Sequence, residues 1–276
     1  MHKYFILFCI VWVLPILYSI PIIAQNDGTP NPNPDVPERK EIRNVTETWI
    51  GLYTKYRIKE RLFYYGEYHL RRRDQFWNEM GQIYLRFGLS YLVNKNFEFT
   101  AGIVNPYYWA PGGDSEGIDK VVSQFRGWQQ FLFIIPFDRL KIYHQIRTEQ
   151  RWKRDYTEGS EFKLDFRFRY KLLAYYPLNK PTLDQGALFL STYNEIFIQA
   201  GKGVIYNHFE DFRFFAGLGY ILNDQVQFQT GYQWTYRHDD SPFLYQSRHI
   251  VRFSIYHNLD FFGRKQKENR SIPVGQ

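Results

Sequence analysis

The chain has 276 residues, a formal net charge of +7, 20% aromatic residues and one cysteine. One cysteine excludes an internal disulfide framework and a cysteine-built metal centre. The 44% hydrophobic content is ample for a folded domain, yet no window after residue 24 is long and apolar enough for a transmembrane helix.

His2 and Lys3 precede an apolar run from Tyr4 to Ile23 that ends at Ala24-Gln25. This pattern predicts a secretory signal over 1–24, cut after Ala24. The competing reading is an uncleaved anchor; Pro15, Pro21 and the small residue at the junction favour cleavage. Cys9 lies in this segment, so a mature chain has no thiol, which suits passage through an oxidising periplasm. Residues 25–45, rich in Asn, Asp and Pro, are expected to be a disordered linker. Residues 46–262 are expected to form one all-β domain, followed by a polar tail over 263–276.

Period-2 alternation of apolar and polar residues predicts strands over 46–58, 62–73, 80–93, 97–109, 121–135, 140–153, 161–176, 187–199, 209–222, 225–237 and 246–260. Residues 162–172 are the clearest case. Phe162, Leu164, Phe166, Phe168, Tyr170 and Leu172 alternate with Lys163, Asp165, Arg167, Arg169 and Lys171. The tenth strand is nearly as clean, while Gly217 and Gly219 weaken the inner face of the ninth. Short connections alternate with longer ones, except that 177–186 is long for its side.

Strands of 11–15 residues exceed the usual five or six and suit a tilted crossing of a bilayer. The expected fold is therefore an antiparallel up-and-down transmembrane β-barrel rather than a soluble sandwich. Eleven strands conflict with the even number of single-chain bacterial barrels. The expectation is twelve, the last hidden in or before 36–46, with ten as the alternative. Trp49, Tyr107, Tyr108, Trp109, Trp152, Tyr175, Tyr176 and Trp234 are expected in interfacial aromatic girdles.

A lipid-facing Arg at mid-membrane costs about 2–4 kcal/mol, so the charged face must turn inward. Strand parity gives the lumen-lining set Glu67, His69, Arg71, Arg86, Arg126, Arg147, Glu149, Arg151, Lys163, Asp165, Arg167, Arg169, Glu195, Arg213, Arg248 and Arg252. Glu98 and the amides of Gln124, Gln130, Gln145, Gln227, Gln229 and Gln233 join it. Two readings follow: a wall braced by Arg–carboxylate pairs, or a passage attractive to anions. The positive excess is expected on the wall built from 140–153 and 161–176.

Several motifs are more specific than alternation. Arg147-Thr148-Glu149-Gln150-Arg151-Trp152 follows Arg126-Gly127-Trp128-Gln129-Gln130; then come Phe166-Arg167-Phe168-Arg169-Tyr170, Asn194-Glu195-Ile196-Phe197, and Arg213 ahead of Ala216-Gly217-Leu218-Gly219-Tyr220. In order and spacing they resemble the family called domain of unknown function 2490, of the outer-membrane β-barrel group, found mainly in Bacteroidota-like bacteria. The resemblance spans Thr48 to Leu259. It implies an outer-membrane location and no particular reaction. It leads one to expect an acid just before Arg126, where this chain has Gln124.

The leading functional expectation is an outer-membrane barrel that is structural or a narrow anion-leaning pore. Its partners would be outer-membrane lipid, the barrel-assembly machinery during insertion, and small anions. The alternatives are an enzyme modifying outer-membrane lipid, with His69 beside Glu67 as base and orienter, or a docking barrel using the 110–120 loop. No cofactor, no metal cluster and no catalytic triad is read from the chain, and nucleic acid is not expected because the bases face inward.

Overall fold

The structure, a computed structural model, describes residues 39–262 apart from 114, 203, 205 and 240. The expected signal, the linker up to residue 38 and the tail after 262 lie outside the described residues. Twelve strands follow in order: β1 (Glu41–Arg57), β2 (Leu62–Arg73), β3 (Glu79–Asn94), β4 (Phe97–Trp109), β5 (Val121–Ser123), β6 (Phe125–Pro136), β7 (Lys141–Lys153), β8 (Lys163–Pro177), β9 (Leu188–Ala200), β10 (Phe209–Ile221), β11 (Val226–His238) and β12 (Leu244–Asp260).

Eleven strands close a ring, β3-β2-β1-β12-β11-β10-β9-β8-β7-β6-β4, and β4 pairs back onto β3. All neighbours are antiparallel except β1 and β12, which run parallel from the Glu41–Leu244 pair to the Arg57–Asp260 pair. An odd ring of alternating strands must have its first and last strands pointing the same way, so one parallel seam is unavoidable. The even-number argument therefore does not govern this chain. The twelfth strand is not hidden before residue 46; β1 itself starts at Glu41, within the expected linker, because 41–45 lie alongside 244–248.

The twelfth strand is β5, three residues that pair with Tyr107–Trp109 in the same register as β6 pairs with Phe97–Val104. The single strand expected over 121–135 is interrupted opposite Pro106, which has no N–H to give the ladder. The Gln124 amide still donates to the Pro106 carbonyl at 3.0 Å.

Closure sorts the alternating side chains into two environments. Along β8, Asp165, Arg167, Arg169 and Lys171 are buried while Leu164, Phe166, Phe168 and Tyr170 are exposed. The inward glycines of β10 make room for rings. A Cβ on Gly219 would lie 2.1 Å from Phe189 Cζ, and one on Gly217 would lie 2.3 Å from the Thr230 carbonyl.

The two ends of the ring differ. One end carries the short links 58–61, 95–96, 137–140 and 222–225 together with 178–187; the other carries the longer 110–120, 154–162 and 201–208. At the short-link end, Leu132, Tyr143, Leu173, Tyr175, Phe189 and Ile221 form a buried apolar cluster with Ala187 from the link. Leu183 packs against the same cluster. The Gly186 amide donates to the Ile221 carbonyl at 2.7 Å, and the Ile221 amide to the Ala187 carbonyl at 3.0 Å. The longer link thus brings Leu183 and Ala187 onto this end cluster.

Candidate functional site: an arginine-lined cavity

Above that cluster, toward the long loops, lies a cavity of about 800 Å³. Tyr193 and Phe215 also belong to that cluster, and of its members only Tyr193 reaches the cavity lining. Glu67, His69, Arg71, Arg86, Arg126, Arg151, Arg167, Arg169, Glu195, Arg213, Arg248 and Arg252 all line it. Arg147, Glu149 and Asp165 are buried in the wall behind the lining. Lys163 does neither: as the first residue of β8 it is exposed, because the ring no longer encloses the strand there.

The centre of the wall is Glu149, with no exposed surface. Its Oε1 accepts from Arg86 at 3.0 Å and Arg169 at 2.8 Å; its Oε2 accepts from Arg167 at 2.5 Å and from Arg126 at 3.4 Å. Arginines from three strands, β3, β6 and β8, thus converge on one carboxylate. Asp165 holds Arg151 through two parallel bonds of 2.6 and 3.0 Å, a bidentate pair of the kind arginine favours. Glu195 accepts two bonds from Arg169, at 2.9 and 2.6 Å, and lies 3.3 Å from Lys171. Glu67 Oε1 takes the Tyr65 hydroxyl at 2.5 Å and Arg147 at 3.2 Å.

His69 and Glu67 share this face, as expected from their spacing. Their nearest approach is 3.7 Å, from His69 Nε2 to Glu67 Oε2, beyond hydrogen-bond reach. No serine or cysteine is among the described lining residues. Both side chains are buried in the cavity wall.

Parity reading missed several inner residues. Glu47, Trp49, Tyr53 and Lys55 come from β1. Trp49, Tyr108 and Tyr175, expected in girdles, face inward: Trp49 and Tyr175 are buried, and Tyr108 lines the cavity. Consecutive strand residues point to opposite faces, so a run such as Tyr107-Tyr108-Trp109 cannot all sit on the outside. Glu210 escaped because a bulge between Phe209 and Asp211 turns both Glu210 and Asp211 inward. Glu210 accepts from Arg151 at 2.6 Å and Arg167 at 3.4 Å.

The bases expected on the β7–β8 wall are there, but they are largely paired. There Arg151, Arg167 and Arg169 are each matched by carboxylates, one of them the unforeseen Glu210. Arg71 on β2 and Arg126 on β6 differ. Arg71 bonds the Gln82 amide oxygen at 2.9 Å and lies 3.6 Å from the Trp49 ring centre. Arg126 bonds Gln124 at 2.8 Å and also donates to the Tyr108 hydroxyl. The neutral Gln124, in place of the acid expected from the family resemblance, leaves Arg126 with only its long reach to Glu149. Over the whole lining, fourteen Arg and Lys residues face nine Asp and Glu residues, so the cavity is net basic.

At the mouth, Asp74, Gln75 and Phe76 take φ values of 56°, 44° and 70°, a left-handed turn that is strained for side-chain-bearing residues. Asn78 tightens it by donating its backbone N–H to the Asp74 carbonyl at 3.0 Å.

No curated protein and no solved structure matches the chain. One family model, described as a protein of unknown function (DUF2490), matches residues 46–245. That stretch runs from β1 into the start of β12 and takes in the whole Glu149 network. The match covers well over half of the chain and all ring strands but most of β12, and the chain belongs to the DUF2490 family.

Proposed function

We propose that this protein is an outer-membrane β-barrel whose basic cavity, open toward the long loops and closed at the other end, receives an anion rather than conducting one. The observation that carries the membrane reading is the outer face. Phe131, Phe133, Phe166, Phe168, Ile196, Ile198, Phe228, Tyr232, Phe253 and Ile255 are all exposed, on five of the seven strands that follow one another round the ring from β6 to β12. Soluble monomers rarely expose apolar patches beyond a few hundred Å². The predicted signal over 1–24 supports export. In this reading outer-membrane lipid covers the outer face, the barrel-assembly machinery inserts the chain, and a small anion occupies the cavity.

An anion-leaning pore needs the Tyr143–Tyr175–Phe189 cluster to move aside. The lipid-enzyme reading needs His69 to gain a partner that the wall does not give it. Neither has an observation in its favour that the receiving cavity lacks.

Phe168, 49% exposed at the middle of β8, tests the membrane reading. Phe168→Arg is expected to destabilise the barrel in phospholipid vesicles by about 2–4 kcal/mol, measured by urea titration. A change below about 0.5 kcal/mol, typical of water-exposed sites, contradicts a lipid-facing position.

A further inference from the structure

The cavity's arginines fall into two groups. On the β7–β10 side each lining guanidinium grips a carboxylate: Arg151 on Asp165, Arg167 on Glu149, Arg169 on Glu195 and Arg213 on Asp211. Round the rest of the ring, from β6 through β4 and β3 to β2, the pairing is looser: Arg71 on β2 makes no ion pair among the described residues, and its side-chain bond goes to the neutral Gln82. Arg126 is bonded to Gln124 at 2.8 Å and meets Glu149 only at 3.4 Å. The Nε atoms of Arg71 and Arg126 are buried without a hydrogen-bond partner, as is His69 Nε2.

These groups converge. The Tyr84 ring centre lies 5.6 Å from Arg71 Cζ and 6.0 Å from Arg126 Cζ. Tyr84 is itself buried and lines the cavity. Arg213 approaches from β10 and shares the Trp49 ring with Arg71, at 5.4 Å against 3.6 Å.

We propose that this wall binds a phosphate group between Arg71 and Arg126, over Tyr84. The inference deepens the reading of the cavity as an anion receiver and rests on it. A phosphate monoester carries a charge of about −1.5 to −2 and three strong acceptor oxygens. That matches two arginine forks, each offering N–H groups in a fixed plane. A monocarboxylate satisfies one fork and leaves the other. Buried donors whose protein partners are neutral amides keep the capacity to bind such a group, whereas those locked on Glu149 or Asp165 do not. Arg72, Arg73, Lys153 and Arg154 line the same cavity and add to the field that draws an anion inward.

The test is calorimetric titration of the purified full chain in non-ionic detergent with inorganic phosphate, with acetate at equal ionic strength, and with mixed micelles carrying a phosphomonoester lipid. Saturable binding of phosphate or of the lipid, but not acetate, is expected. Which of the two binds tells a free phosphate from a headgroup. Arg71→Gln and Arg126→Gln are each expected to weaken binding about tenfold or more, the loss of one charge-assisted grip. Lys163→Gln, at an exposed position, leaves the affinity unchanged. If a glutamine variant does not fold, Arg71→Lys keeps the charge, removes the fork and is expected to weaken binding all the same. Equal binding of acetate, or unaltered affinity in the folded Arg71 and Arg126 variants, overturns the proposal. A wild-type protein that shifts its gel mobility on boiling yet binds neither phosphate nor lipid overturns this inference alone; one with the same mobility boiled and unboiled overturns the barrel reading beneath it.

Discussion

Glu149→Gln is expected to lower the stability of the barrel by about 3–5 kcal/mol, the usual cost of removing one partner from a buried ionic cluster. The side chain is fully buried and bonds arginines from β3, β6 and β8. A glutamine keeps the shape and one acceptor oxygen. It supplies no charge, and its NH₂ points a donor at guanidinium groups that are donors themselves. Arg86, Arg126, Arg167 and Arg169 then remain close together with one less carboxylate among them. The midpoint of urea unfolding in detergent, followed by loss of the fast-migrating unboiled band, measures the effect. A shift worth less than about 1 kcal/mol would mean that water already screens the cluster, contrary to its burial. The exposed Arg43–Glu41 pair is the control, and Glu41→Gln should leave the midpoint where it was.

The second large effect concerns the closed end. Wild-type protein in planar bilayers is expected to show no steady conductance, because Tyr143, Tyr175 and Phe189 fill the barrel below the cavity. Tyr143→Ala combined with Phe189→Ala removes two of these rings and is expected to open a leak. The current should favour anions, since ions then pass through the basic cavity. Each truncation also costs about 3–5 kcal/mol of packing, so folding is checked first by mobility before and after boiling. A steady open conductance in the wild type would contradict the closed end. A leak that prefers cations would contradict the net basic lining.

Much of the barrel was legible in the sequence because burial in a closed sheet has a period of two. Residues 162–172 show this directly: the even positions face out and Asp165, Arg167, Arg169 and Lys171 face in. The resemblance to the DUF2490 family was likewise readable from short motifs in order. Three features were not. The parallel seam depends on how the first and last strands meet, which no local pattern encodes. The apolar end cluster is joined by a link whose only visible signal was its length; its reason, Ala187 and Leu183 packing on the strand residues there, is tertiary. The balance of charge also depended on partner choice. Counting bases placed the positive excess on β7 and β8, yet Glu210 enters through a bulge and neutralises part of it. The less compensated arginines lie on β2 and β6, paired with Gln82 and Gln124. Gln124 was expected on the inner face, but which guanidinium it holds, like the Gln82–Arg71 bond, is set by neighbouring strands and shows only in the fold.

The central claim is a barrel that meets lipid outside and keeps its charges inside. Single cysteines placed from Leu164 to Tyr170 in a chain whose only natural cysteine is Cys9, each carrying a nitroxide in phospholipid vesicles, test it most directly. The account predicts that labels at Leu164, Phe166, Phe168 and Tyr170 collide with dissolved oxygen and not with a water-soluble nickel chelate, while labels at Asp165, Arg167 and Arg169 are shielded from the lipid. Even-numbered labels reached freely by the chelate would mean that the apolar stripe faces water, and would contradict the transmembrane reading.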